Sequence, residues 1–422
     1  MGMGVLAKTA RYGRTLASLR PLQVIARPYA VVSRRFVGLV PSGAPPKLRG
    51  GWGDLPPAFE ALVHAEVERA GQRASRIPEN SLLARYEAHY GIGDAAGTPG
   101  FEDDPAALHP FPSSVRARNL AVAVRRGVPV EGKRLARACR AVLAQLELHL
   151  LGNHYLENGF GLACAGCVAE GAEAELWWRI GRAILSRELE EQFLPDGGHF
   201  ERSGSYHLWL TTALLVTIEL AHASGRRAPA SWRETAARAV GWIEAVRAPD
   251  GTYPLFNDAA LDASPLPDQV LGLAKDLGIE PIRRVVVHGN GEKGVLVLPH
   301  TGWCVVRHGA AWLVMDAGPD GAPYQPGHVH ADALTFELWL DGERTVVDYG
   351  VSSYVDDEER RRTRATISHN TVEVDGRDSS EVWGSFRVGR RATGRIVEVG
   401  ETTVTAEHDG YGWLPGAPIH RR

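Results

Sequence analysis

The chain has 422 residues, 44% hydrophobic and 23% charged, which is near globular averages and long enough for two cores. A net charge of -3 and a pI near 6.6 argue against nucleic acid as the main partner, because phosphate binding normally leaves a basic excess. No window approaches the ~20 uninterrupted apolar residues of a transmembrane segment, and four cysteines are too few for a disulfide framework.

Residues 1–55 read as a basic N-terminal arm. Lys8, Arg11, Arg14, Arg20, Arg27, Arg34, Arg35, Lys47 and Arg49 face no acid within the first 50 residues. Such an arm suits an acidic partner, a polyanion or a membrane surface, or else arginines that meet acids of the body. Its apolar stretches are broken by arginine, so no secretory signal is visible.

Residues 56–282 read as repeated helices. Arg134–Leu151, Ala172–Phe193, Tyr206–Ala223 and Trp232–Val246 carry apolar residues at helical spacing, with breaks at Pro195-Asp196-Gly197-Gly198 and Pro249-Asp250-Gly251. Some are apolar nearly all round, which predicts an α/α toroid whose inner helices are covered. Cys164 and Cys167 form a C-x-x-C without a second pair, and are expected to be small packed helix residues. Two polar knots, Asn153-His154 and Asp196 to His207, sit where loops enter helices; Asn153 and Ser203 are ordinary N-cap types there, while the same positions also suit the mouth of a helical barrel.

From about Arg283 the period changes to short β-rich runs, and residues 283–422 read as an antiparallel β-sandwich, incomplete at its C-terminal end. Within it, Gly327-His328-Val329-His330-Ala331-Asp332, Asp348 and Ser368-His369-Asn370-Thr371 place three histidines and two aspartates in strand-like sequence. Such groups are costly to bury unless paired or coordinated. On a strand His328, His330 and Asp332 share a face with Leu334, Phe336, Leu338 and Leu340. A two-residue turn at Asp341-Gly342 puts Asp348 on the opposite face, whereas a type I turn with Gly342 as a bulge brings it to the histidines. His330, Asp348 and His369 would then form a three-ligand zinc-type site; the competing expectation is a metal-free polar cluster. A cupin site is disfavoured because the next glutamate, Glu337, lies on the other strand face.

In order and spacing these motifs resemble the heparinase II/III-like polysaccharide lyases, from Thr15-Leu16-Ala17-Ser18-Leu19-Arg20-Pro21-Leu22-Gln23 through Asn153-His154, Asp196 and Tyr206-His207 to Gly327–Asp332 and Ser368–Val372. The resemblance implies an N-terminal toroid, a C-terminal sandwich and β-elimination on an acidic, uronic-acid-containing polysaccharide. It also implies that Asn153 and His154 neutralise the uronate, that Tyr206 and His328 serve as acid and base, and that His330, Asp348 and His369 hold the structural zinc found in some members. It points to the cell envelope or periplasm, while the missing signal leaves the cytoplasm open. Glu201, Arg202 and Arg364 are candidates for binding the sugar chain, and Trp177, Trp178, Trp209 and Trp242 for stacking, although a tryptophan in an apolar helix defaults to core. The rivals are a glycoside hydrolase using Asp196 and Glu201, and a polysaccharide-binding protein without turnover.

Overall fold

Helices fill the first two thirds of the chain and antiparallel strands most of the last third, in a computed structural model that describes residues 2–39, 43–74, 82–90, 104–290, 293–352 and 354–422. The arm is two helices, α1 (Gly2–Ala17) and α2 (Pro21–Phe36). The helical domain follows as α3 (Pro57–Ala74), α4 (Leu82–Ala88), α5 (Pro110–Arg125), α6 (Gly132–Ala144), α7 (Gly152–Val168), α8 (Ala172–Gln192), α9 (Gly204–Ala223), α10 (Ala230–Val246) and α11 (Pro267–Asp276). Proline at the first position of α5 and α11 starts those helices where a missing N–H costs nothing.

Helices α7 and α9 are buried on almost every side, which makes the toroid wall two helices deep. Close approach requires glycine: a Cβ at Gly161 would stand 2.6 Å from the Ser114 carbonyl of α5, and one at Gly181 of α8 would stand 2.5 Å from the Ala163 nitrogen. Cys164 and Cys167 are free and buried in this seam. Burial pushes the Cys164 thiol up to about 12 and that of Cys167 in the same direction. Neither is expected to react with a thiol reagent in the native state, and denaturation should release both to titration.

The sheet domain is a meander, β1 (Val286–Asn290), β2 (Lys293–Leu298), β3 (Trp303–His308), β4 (Ala311–Asp316), β5 (Phe336–Leu340) and β6 (Glu343–Val346), paired in chain order. Gly289 and Asn290 end β1 opposite Gly294 and Lys293. After the β7 (Val382–Gly384) and β8 (Arg387–Val388) pair, a second sheet of β9 (Gly394–Val399), β10 (Val404–His408) and β11 (His420–Arg421) packs on the meander through Ile396, Val404 and Ala406 against Val295, Cys304, Met315 and Leu334. The meander's other face carries Trp303, Val305, Trp312, Val314 and Trp339 into the same core as the helices. Trp303 lies 5.1 Å from Trp242 and 5.0 Å from Phe256, an aromatic seam between the domains. Asp196 closes the seam by accepting hydrogen bonds from the backbone N–H of His300 and Thr301, at 2.7 and 2.6 Å.

Three local expectations are corrected. Residues 328–335 are not strand: Pro326–His328 is a single 3-10 turn and β5 starts only at Phe336, because the intervening backbone bonds elsewhere. Ala331 N–H donates to Arg364 O, Leu334 N–H to Asp316 O, and Leu334 sits at φ 61°. The β5 face buried against the helices is therefore Glu337 and Trp339, while Leu340 is exposed. The turn has Asp341 and Gly342 both at positive φ, 51° and 85°, so it is the two-residue hairpin and not the bulged type I turn. A bulge follows one step later: Trp339 pairs with Arg344 but Leu338 with Val346, leaving Thr345 over. That offset gives Asp348 the parity of Leu334 and Phe336.

Candidate active site

The helix expected over Arg134–Leu151 stops at Ala144, because Glu147 organises a different structure. Its N–H donates to Asn158 Oδ1 and its carboxylate accepts from Asn158 Nδ2, both at 2.9 Å, and from His154 Nδ1 at 2.9 Å. Leu151 is thereby held at φ 60°, and Arg202 and Asn257 share such positive φ, so left-handed backbone gathers around one site. Asn153 falls inside α7 instead of capping it, and Ser203, before α9, donates its hydroxyl to the Asp258 carbonyl at 2.8 Å. Neither is a helix-capping side chain.

Tyr206, in the first turn of α9, meets His328 from the sheet domain. The phenol oxygen lies 3.2 Å from His328 Nε2, and the rings stack at 4.4 Å with 16° between their planes. His328 Nδ1 donates to Glu201 Oε2 at 2.7 Å. Burial disfavours the Glu201 carboxylate, but the charge and hydrogen bond of His328 outweigh it and its pKa is lowered. An ionised Glu201 holds the proton on Nδ1, so that in the neutral imidazole Nε2 is the acceptor. Burial drives the Tyr206 pKa well above 10, and Tyr354, Asp258 and Glu201 push the same way. A lowered phenol pKa, expected if Tyr206 is to act as a base, is thus not what its surroundings produce; it stands as a neutral donor.

Asn153, His154, Tyr206 and His328 line one cavity of about 250 Å³ together with Tyr86, Tyr90, Phe111, Trp209, Tyr354 and Phe386. Asn153 is buried and its Oδ1 has no hydrogen-bond partner. The His154 ring lies 4.6 Å from that of Phe111, tilted by 43°, with its Nδ1 held by Glu147. Burial opposes the His154 cation, but Glu147's charge and hydrogen bond prevail and raise its pKa above 6.5. Glu147, conversely, is pushed up by burial and brought below 4.5 by His154 and Asn158. The raised histidine contributes stability fully present below pH 6.5 and lost as pH rises through its folded pKa. The lowered glutamate contributes stability present above pH 4.5 and lost as pH falls through its own. The gap in thermal midpoint between the native chain and Glu147→Gln is therefore expected to be widest between pH 4.5 and 6.5 and to shrink on both sides.

Two proposed sugar ligands are corrected. Every Arg202 nitrogen donates to backbone carbonyls, of Thr301, Phe200, Gly321 and His300. Arg364, fully buried, donates to Val329, Gly384 and Pro326 carbonyls, and desolvation lowers it to about 9. Each thus spends four of its five N–H groups clamping loops. Glu201 reaches His328 and not the cavity lining. Of the four tryptophans, Trp177, Trp178 and Trp242 are core and Trp209 lines the cavity.

The expected metal ligands lie close together but are engaged with other partners: Asp348 sits beside His369. It hydrogen-bonds His369 Nδ1 at 2.9 Å, Thr335 Oγ1 at 2.6 Å and Gly350 N–H at 3.1 Å. His330 Nε2 is held by Asp258 at 2.7 Å. Among the described residues no three His, Cys, Asp or Glu side chains gather as metal ligands. Two donors do fit a metal: His330 Nδ1 and His369 Nε2 are buried without partners, their rings 5.2 Å apart, and each opposite nitrogen is backed by a carboxylate.

Sequence reasoning missed Glu147, Tyr354 and the Asp258–Arg360 pair. Arg360 Nη2 meets Asp258 Oδ2 at 2.7 Å, both fully buried, and its guanidinium packs 5.1 Å from the Tyr354 ring and 5.0 Å from that of Phe386. The available signal was Glu147 interrupting a leucine-rich helical stripe.

Two family models match: the heparinase II/III N-terminus over residues 144–273 and the heparinase II/III-like C-terminal domain over residues 290–422. Relatives include a heparin-sulfate lyase of Bacteroides stercoris, 28% identical over 246 residues, 54% of this chain and 36% of that one. Another, of Bacteroides thetaiotaomicron, is 26% identical over 311 residues, 64% of this chain and 42% of that one. The chain thus spans less than half the length of these curated relatives. The crystal structure of a heparinase III superposes with a TM-score of 0.57 at 18% identity, over 88% of this chain and 62% of that one, which shows the shared fold. With both of its domains matched in order, the chain belongs to the heparinase II/III-like family.

Proposed function

We propose that the protein is a polysaccharide lyase that cleaves a uronic-acid-containing polysaccharide by β-elimination. The contact between Tyr206 and His328, from separate domains and in one cavity, carries this reading. The names of the heparin-sulfate lyases support it.

Removing the C5 proton beside a carboxylate piles a second charge on that group, so it needs donors and positive charge. The Asn153 amide and the His154 imidazolium, the latter sustained by Glu147, answer that need. His328 Nε2, with Nδ1–H tied to Glu201, takes the C5 proton. Tyr206, a neutral phenol, gives its proton to the departing 4-linked oxygen as the C4–C5 double bond forms. The proton on Nε2 then returns to the phenolate across 3.2 Å and restores both groups.

A hydrolase is less well supported, because Asp196 spends its oxygens on His300, Thr301 and Gly198 between the domains. A panel of uronic-acid polymers followed in the near ultraviolet tests the choice. Elimination yields a conjugated, absorbing product; reducing ends without absorbance mean hydrolysis; binding with neither means a lectin-like role. As to metal, we propose that His330 and His369 hold a structural zinc with Asp348 behind His369, tying the 329–335 loop to the 366–369 turn. Zinc content that survives His330→Ala unchanged rejects this.

A further inference from the structure

The unusual surface of the molecule is on α2, whose small side faces the protein and whose apolar side faces outward. Gln23, Ala26 and Ala30 are its buried residues. Gln23 donates to the carbonyls of Leu150 and Tyr324, and the alanines let the helix lie close to the body. At 100° per residue the opposite arc holds Val24, Ile25, Val31, Val32 and Phe36. Ile25 is 73% exposed, Phe36 59% and Val32 53%, and Leu39 beyond the helix end is 76% exposed. A contiguous stripe of this kind marks an interaction surface, since scattered single residues are the norm.

The charges of the arm divide along the chain. Arg11 and Arg14 pair with Glu381, and Arg20 with Glu191. Arg27 borders the apolar arc and Arg35 lies within it, both exposed and, among the described residues, without a carboxylate partner, whereas Arg34 lies toward the buried side, 3.4 Å from His149 Nε2. The occupant must therefore be apolar at depth and negative at its surface. A polyanionic sugar chain satisfies the arginines and leaves the stripe in water. A second copy across a two-fold axis sets the same arginines against one another. An anionic bilayer meets both demands, with the arginine stems lying along the apolar layer and their heads at the phosphates.

We propose that α2 is an in-plane anchor that seats the protein on an anionic membrane surface. It lies flat: 16 residues reach about 24 Å, and no described helix is long and apolar enough to cross a membrane.

The test is flotation of the full chain with vesicles of phosphatidylcholine containing phosphatidylglycerol, against phosphatidylcholine alone. The chain should float with the anionic vesicles and be released by salt. Val32→Asp should weaken binding about tenfold or more, and Arg27→Ala with Arg35→Ala about fivefold per arginine, each with an unchanged thermal midpoint because the side chains are exposed. Equal flotation of Val32→Asp and the parent overturns the proposal, as does flotation with neither vesicle. So does a parent dimer, without flotation, that Val32→Asp dissociates, which assigns the stripe to a second copy. Retention on an acidic polysaccharide in place of vesicles, lost with the arginines and kept in Val32→Asp, overturns it in favour of a polyanion.

Discussion

Tyr206→Phe is expected to lower the turnover number for elimination about 10²–10⁴-fold, the range of a lost general acid, with little change in KM. The phenyl ring keeps the stacking at 4.4 Å on His328 and loses only the hydroxyl, so the fold should persist. His328→Ala should cost a similar factor, and the double variant little more than either, because one proton circuit runs through both groups. Glu201→Gln should act through His328: it removes the charge that fixes the Nδ1 proton, so the limb of the pH–rate profile belonging to the base should move as turnover falls. Undiminished elimination in both Tyr206→Phe and His328→Ala refutes the assignment of acid and base.

Arg360→Met should destabilise the protein by about 3–5 kcal/mol, the cost of stranding a buried charge, here Asp258. Asp258 is completely enclosed, and its pKa is depressed despite burial, by Arg360 and then by His330. A lower thermal midpoint, partly recovered when Asp258→Asn is added, is the expected signature. The same pair packs against Tyr354 and Phe386, so KM should rise while the Tyr206–His328 contact remains. An unchanged midpoint in Arg360→Met shows that the ion pair is dispensable.

The long helices and the meander were legible because burial imposes periods of 3.6 and 2 on sequences such as Ala172–Gln192 and Trp303–His308. The errors arose where those periods occur without their usual cause. His328 to Thr335 alternates like a strand, yet its backbone bonds to Arg364 and Asp316. Leu146 to Leu151 continues a leucine stripe, yet Glu147 and Asn158 turn it into a strained loop. Four site residues, Asn153, His154, Tyr206 and His328, come together on one cavity as the motif order suggested. Arg202 and Arg364 were misjudged because a charged side chain gives no sign in sequence of the carbonyls that will surround it. Asp348 does reach His369, but by a bulge at Thr345 that no turn residue announces and not by a bulged turn at Gly342.

Asp196 and the Trp303 seam join two modules that each carry half of the chemistry, the phenol on a helix and the imidazole beside a sheet. Neither module alone holds both members of the Tyr206–His328 pair, which forms only on docking. Under the proposed elimination, a newly made or partly opened chain would hold the two groups apart and wait on docking to bring them to 3.2 Å.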